Sequence, residues 1–222
     1  MRFLKAVLPD TSVPTRIRLG PFRGATIVMN PRHSLRKVAG LYEHELNGWI
    51  ERCLPRVSRV IDVGANDGYF TFGCAAAFRR MGVDAEIIGV EAQAQHVAQL
   101  RASVATSGAA RIHIIHALAA AAPAAGAITL DSLDVADHSR TLIKIDVEGA
   151  EADVIAGATR WMNGTNYFLI EVHSAPLLTQ VSNAFASRGL PLDRIDQRPL
   201  WWLGREHRDT DNWWLVSQLG SA

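Results

Sequence analysis

A strand that ends in a glycine turn and passes at once into a helix can be packed in few ways, and residues 60–72 spell one out. Val60, Ile61 and Val63 form an apolar burst of the kind buried on both faces of a sheet. Gly64-Ala65-Asn66-Asp67-Gly68 follows, a turn with too little side chain to fill the space above the strand. An open α/β sheet uses this unit to make a crevice for a nucleotide-like cofactor, with backbone N–H groups aimed into it. Asp62 and Asn66 add polar groups to that crevice. The turn is not Gly-x-Gly-x-x-Gly, because Tyr69 holds the third glycine position. A smaller cofactor therefore fits better than a dinucleotide pyrophosphate.

The rest of the chain supplies the sheet that such a unit needs. Its 222 residues suit one α/β domain rather than two. We read residues 1–55 as an N-terminal extension and 56–222 as the core. In the extension, 17–19 and 26–29 are expected to form a hairpin, and 40–54 a helix closed by Pro55. In the core, strands are expected at 59–63, 86–91, 111–117, 141–146, 167–172, about 190–195 and 213–219. Helices are expected at about 69–81, 95–107, 150–162 and 176–187. The Ala-rich stretch 117–127 contains Pro123 and Gly126 and reads as a loop. Alternating strands and helices imply a doubly wound, mostly parallel seven-stranded sheet. The last two strands lack a long helix between them, which implies an antiparallel edge.

Composition narrows the partners. A net charge of +1 offers no field for nucleic acid or an anionic membrane. No apolar run is long enough to span a bilayer or serve as a signal peptide, so a cytoplasmic location is expected. The two cysteines, Cys53 and Cys74, fall in helical stretches and read as small buried hydrophobes.

Ligands in such sheets sit beyond the carboxyl ends of the strands. Glu91 closes the second strand, one βα unit after Gly64, where a carboxylate can accept hydrogen bonds from a ribose diol. The fourth strand ends Lys144-Ile-Asp146-Val-Glu148-Gly-Ala-Glu151, and the fifth ends Glu171-Val-His173. Alternation puts Lys144, Asp146 and Glu148 on one side, and Glu171 with His173 on another shared side. Glu151 falls in a first helical turn, where the dipole alone favours an acid. Trp201-Trp202 and Trp213-Trp214 read first as core packing, or else as a stacking platform for a flat acceptor, with Arg198 and Arg205 nearby.

Taken in order, Val60–Tyr69, Glu91, Thr129–Leu133, Lys144–Glu151 and Glu171–His173 resemble the FkbM-type methyltransferases. The segment Gly40–Glu45 resembles what precedes the first motif in that family, and the likeness covers about residues 20–175. It implies a Rossmann-like class I fold, S-adenosylmethionine as cofactor, and O-methylation of a hydroxyl on a sugar, glycan or natural product. Carried over by position, it implies that Gly64, Ala65 and Gly68 admit the methionine part of the cofactor. Asp62 and Asn66 would hold its ammonium group. Glu91, with Ala92 beside it, would bind the ribose. His116 and Ala117 would wall the adenine, Asp146 would face the methyl, and Tyr42 with Glu43 would close the site. For the general base we favour His173 or Asp146, with Glu148 and Glu171 on substrate hydroxyls.

Other classes remain open on the sequence. Asp146 and Glu171 are hard oxygen ligands suited to Mg²⁺, but no third ligand is evident, and we assign no metal. A catalytically inactive cofactor-binding module would keep the pocket without the chemistry. A nicotinamide-dependent dehydrogenase is disfavoured by the glycine spacing, and an RNA methyltransferase by the near-neutral charge.

Overall fold

A computed structural model describes residues 8–107, 111–198, 200 and 211–220. Seven strands form the central sheet. They are β3 (Arg59–Val63), β4 (Glu86–Glu91), β5 (Ile112–His116), β8 (Thr141–Ile145), β9 (Tyr167–Val172), β10 (Leu192–Ile195) and β11 (Trp213–Ser217). Their spatial order is β10-β11-β9-β8-β3-β4-β5. The five strands from β9 to β5 are parallel, and β11 runs antiparallel to both β9 and β10. Chain order therefore reverses at β3, which has β4 on one side and β8 on the other. A doubly wound sheet opens its ligand crevice at such a reversal.

Period-two burial explains why these runs became central strands. Val60, Leu142, Leu169, Trp214 and Val216 pack into one apolar cluster; Ile61, Val63, Ile143, Ile145, Ile170, Val172 and Leu215 pack into another on the opposite face. Each full burial of such a side chain contributes roughly 1.5–3 kcal/mol. The first face is covered by α3 (Tyr69–Met81), which buries Phe70, Phe72, Cys74 and Phe78. The second is covered by α5 (Glu151–Ala156) and α6 (Ala175–Ala186), through Val154, Ile155, Val181 and Phe185. Helix α4 (Ala94–Ser107) follows β4. Both cysteines are free and buried.

The extension differs from its sequence reading in three places. The hairpin joins β1 (Val13–Arg16), not 17–19, to β2 (Thr26–Met29), and Ile17 is instead a core residue at its turn. A short helix, α1 (Leu35–Ala39), has no counterpart in the expected elements. The helix expected at 40–54 is divided into a 3-10 turn at His44–Leu46, α2 (Asn47–Cys53) and a second 3-10 turn at Leu54–Arg56. Its start is delayed because Glu43 adopts φ 49°, a left-handed conformation that interrupts any helix. Ile17, Phe22, Ile27, Met29, Leu46 and Trp49 belong to the same apolar cluster as Val60 and Phe70, so the extension shares the core of the sheet.

Elsewhere the differences are smaller. The Ala-rich loop carries β6 (Leu118–Ala119) and β7 (Ala127–Ile128), which pair in parallel. Helix α5 stops at Ala156 instead of reaching Met162. A Cβ on the following Gly157 would collide with the carbonyl of Ala120. The N–H groups of Thr159 and Arg160 turn to the carboxylate of Asp131, at 3.0 and 2.9 Å. Trp214 is buried and Trp213 half-buried on β11; Trp201, Trp202 and Arg205 lie outside the described residues. No helix among the described residues is long and apolar enough to cross a membrane.

Candidate active site

The turn after β3 is shaped for close approach of two strand ends. Gly64 has φ 78°, and a Cβ there would fall on the carbonyl oxygen of Asp146. Only glycine lets β3 and the end of β8 meet in this way. The N–H groups of Gly64 and Ala65 both donate to the carbonyl of Val90, at 2.9 and 3.2 Å, and that of Gly68 donates to Ala65. The expectation that these N–H groups aim into the crevice is thus corrected: they knit the turn to β4. Gly68 starts α3 with φ 84°, where a Cβ would strike Phe72 and Leu100, and it lies off the crevice wall.

Glu91 is held from two sides by main chain. Its Oε2 accepts from Asn66 N–H and its Oε1 from Gln93 N–H, both at 2.8 Å. A carboxylate offers about four lone-pair positions. His96 Nδ1 lies 3.8 Å from Oε1, and the carboxylate lines a crevice of about 420 Å³. Tyr42, Gly64 and Asn66 wall this space on one side; Ala92, Gln93, His96, Ala117 and Leu118 wall it near Glu91; Asp146, Glu148, Glu171 and His173 wall the far end. His116 is not part of the wall. Its Nε2 lies 3.1 Å from the carbonyl of Ala92, while the exposed Leu118 faces the crevice.

Beneath the far end lies a buried ionic array. Asp62 on β3 and Lys144 on β8 are register partners, which explains their meeting. Asp62 accepts from the Thr71 hydroxyl at 2.6 Å and sits 3.6 Å from Lys144 Nζ, which donates to Asp146 Oδ2 at 3.0 Å. Asp62 is wholly buried and does not line the crevice. Burial raises its carboxyl above the usual range, against the pull of Lys144 and Thr71. Burial works to strip the proton from Lys144, but the charges of Asp146, Asp62 and Glu43 overcome it and hold the ammonium above its ordinary value.

At the crevice surface the groups are arranged around His173. Its Nδ1 lies 2.6 Å from Glu151 Oε1, which also accepts from Gly149 N–H at 2.9 Å. A carboxylate only accepts, so Nδ1 carries the proton and Nε2 faces the crevice. There Nε2 is 3.8 Å from Asp146 and 3.5 Å from Glu148. Burial disfavours the imidazolium, but the bond to Glu151 and the charges of Glu171, Glu151 and Glu148 outweigh it and raise His173 above its usual value. For Asp146, burial pushes upward, while Lys144 first, then His173 and Glu171, bring it below the usual carboxylate range.

The strand alternation expected of Lys144, Asp146 and Glu148 stops at Ile145. Glu148 and Gly149 both take left-handed conformations, φ 54° and 104°, and swing the exposed Glu148 over His173. Glu171 and His173 do converge with Asp146: one ligand atom from each lies within 4.8 Å of the others, so His173 stands where the sequence offered no third metal ligand. Sequence reasoning missed Glu151 as the partner of His173, together with Gln93, His96, Leu118 and Asn212 on the wall. Leu118 is marked out by its exposure, which only the structure reveals.

Residues 124–187 match the family described as the Methyltransferase FkbM domain. Over that stretch the chain is similar to a methyltransferase domain of the FkbM type. The match holds the Asp146, Glu148, Glu151, Glu171 and His173 end of the crevice. No curated protein matches the chain by sequence. Among solved structures, a precorrin-6y C5,15-methyltransferase from Geobacter metallireducens aligns with TM-score 0.54 at 13% identity, over 78% of this chain and 88% of its own. Fibrillarin from Aeropyrum pernix, in complex with S-adenosyl-L-methionine, aligns with TM-score 0.50 at 16% identity, over 74% and 68%. Trm5b from Pyrococcus abyssi aligns with TM-score 0.54 at 10% identity, over 93% of this chain and 55% of its own. At these identities the likeness concerns the fold alone.

Proposed function

We propose that this methyltransferase uses S-adenosylmethionine to methylate a hydroxyl on a sugar, glycan or natural-product acceptor. The observation that carries the reading is the two-ended crevice: Glu91, held by two main-chain N–H groups, at one end, and Asp146, Glu171 and His173 gathered at the other. The residues present fit the cofactor. Glu91 suits the ribose diol, Ala92, Ala117 and Leu118 suit the flat adenine, and the acids at the far end suit a cationic sulfonium. Bound there, the cofactor supplies a methyl on positively charged sulfur; an O–C bond forms as the C–S bond breaks, and sulfur leaves as a neutral thioether.

The chain's own part is to place the acceptor and take its proton. Orientation of the two reactants is worth several kcal/mol. We assign His173 Nε2 as the proton acceptor. Its Nδ1 proton is fixed on Glu151, and its raised basicity makes it a better acceptor than the acidified Asp146. Glu171 and the rim residue Glu148 are placed to bind acceptor hydroxyls. The test is calorimetry with S-adenosylmethionine and S-adenosylhomocysteine, followed by transfer of labelled methyl to a panel of hydroxyl acceptors. Well-folded protein that binds neither compound overturns the reading.

A second reading keeps the donor but adds a divalent ion, favoured by the convergence of Asp146, Glu171 and His173. The two carboxylates suit Mg²⁺ or Mn²⁺, and the imidazole beside them favours a transition metal over Mg²⁺. It would polarise the acceptor oxygen in place of a protein base. Turnover that survives exhaustive chelation removes it.

A further inference from the structure

The net charge of +1 conceals two stretches of opposite sign. Residues 1–82 hold 13 Lys and Arg against 6 Asp and Glu, and the remainder hold 10 against 16. Part of the basic excess gathers where the N-terminal extension meets the end of α3. Between β1 and β2 the chain makes a closed turn. Ile17 N–H donates to the carbonyl of Ala25, Gly24 N–H to that of Ile17, and Arg18 N–H to that of Val38, each at 2.9 Å. Ile17 is buried, so period-two alternation turns Arg16 and Arg18 outward, and both are exposed. The Arg16 guanidinium lies beside Gly24, where a Cβ would be 3.9 Å from it, and next along the chain is the exposed Arg23.

Helix α3 brings a second set of the same sign. Arg80 donates to the main-chain carbonyls of Pro21 and Arg23, which ties the last turn of α3 to the β1–β2 turn. Arg79 precedes it and Met81 follows it, and all three are exposed. The arginines stand close enough to act on one another. Burial first, then the charges of Arg23 and Arg79, push Arg80 below its ordinary value, with Glu51 opposing. Among the described residues, the ion pairs of the extension are made by Arg32, His33, Lys37 and His44, not by Arg16, Arg18 or Arg23. Three large apolar side chains stand exposed among the described residues. Leu118 faces the crevice; the other two, Leu19 at 59% and Met81 at 40%, border this basic patch.

We propose that this face docks the protein on the surface of an anionic phospholipid bilayer. Charge complementarity selects the partner. Guanidinium groups pair with lipid phosphates through two parallel hydrogen bonds, while their apolar stems lie along the acyl boundary. Leu19 and Met81 gain by leaving water for that boundary, and attraction and apolar burial then add. The same mixture disfavours nucleic acid. The exposed large apolar side chains of the patch are aliphatic and offer no ring on which bases can stack. A helix of 13 residues carries Met81 about 20 Å from the glycine turn at its start. Docking there is independent of what the crevice binds.

The experiment is cosedimentation of the full chain with vesicles of phosphatidylcholine, alone or mixed with phosphatidylserine, across a salt series. Binding is expected to the mixed vesicles only, and is expected to fall as salt rises and screens the attraction. A basic residue close to such a surface contributes about fivefold to partition, so the double variant Arg16→Gln, Arg23→Gln is expected to bind roughly thirtyfold more weakly. Leu19→Ser is expected to weaken binding at every salt concentration, because the part it removes is apolar. Arg194→Gln makes the same charge change on the exposed face of β10, and is expected to bind as wild type does. All these side chains are exposed, so wild-type melting temperatures are expected throughout. Equal binding to both kinds of vesicle, or an equal loss from Arg194→Gln, overturns the proposal. Tighter binding to duplex RNA at matched salt, left intact by Leu19→Ser, also overturns it and assigns the patch to nucleic acid.

Discussion

The two ends of the crevice are held by different kinds of interaction. At the β4 end, Glu91 is fixed by two main-chain N–H groups. At the β8–β9 end, Asp146 and His173 are fixed by other charged side chains, Lys144 and Glu151. Main-chain donors do not titrate, so the hydrogen-bond donors that hold the first end keep their protons at any pH. The second end depends on which of several coupled groups carries a proton. A rigid seat beside a titratable surface is a sensible division between holding one invariant ligand and moving a proton.

The strongest way to break this comparison is to remove the proton acceptor. His173→Ala is expected to lower turnover by about 10²–10⁴-fold while leaving S-adenosylhomocysteine affinity unchanged, since the loss falls at one end only. A matching loss of cofactor affinity would show that the ends are not separate. Next in size is Lys144→Met. It leaves the wholly buried Asp62 without its counter-charge and is expected to cost about 3–5 kcal/mol of stability, measured by denaturant midpoint. An unchanged midpoint would mean that Asp62 is neutral in the folded protein. Glu91→Gln keeps the shape but removes the charge. It is expected to weaken S-adenosylhomocysteine by roughly 1.5–3 kcal/mol with little change in turnover at saturation.

The smallest expected effect is also the sharpest. His173 must be neutral to accept a proton, and its pKa is raised, so turnover should climb through a limb lying above the ordinary histidine range. Glu151→Gln removes one of the charges that stabilise the imidazolium, and should move that limb toward lower pH. A limb that stays in place would assign it to another group. The same shift has a stability counterpart. The stabilisation from protonated His173 is full below its unfolded pKa and is lost as pH rises through the folded value.

How far the sequence foretold the molecule varies along the chain for physical reasons. β3, β4, β9 and α3 have the expected bounds because each apolar run is closed by a turn or a polar strand end. The extension was less legible. Its apolar pairs are short, and either side of Gly20 offers a similar strand signal. The break at Glu43 has no glycine or proline to announce it. At the site, strand alternation located Asp146, Glu171 and His173, because strand ends fix side-chain direction. It failed at Glu148, where left-handed backbone replaces the strand. It also missed Glu151, whose contact with His173 joins the start of α5 to the end of β9 and leaves no mark in local sequence.

Because Gly64 rests its bare α-carbon against the carbonyl of Asp146, the floor of the crevice behaves as one mechanical piece. On the proposed reading, a shift in the loop that would seat the donor passes through this contact to the strand end that would meet the acceptor. Substitutions at the rim, at Glu148 or Asn212, are then expected to change which acceptors are taken while leaving this contact intact.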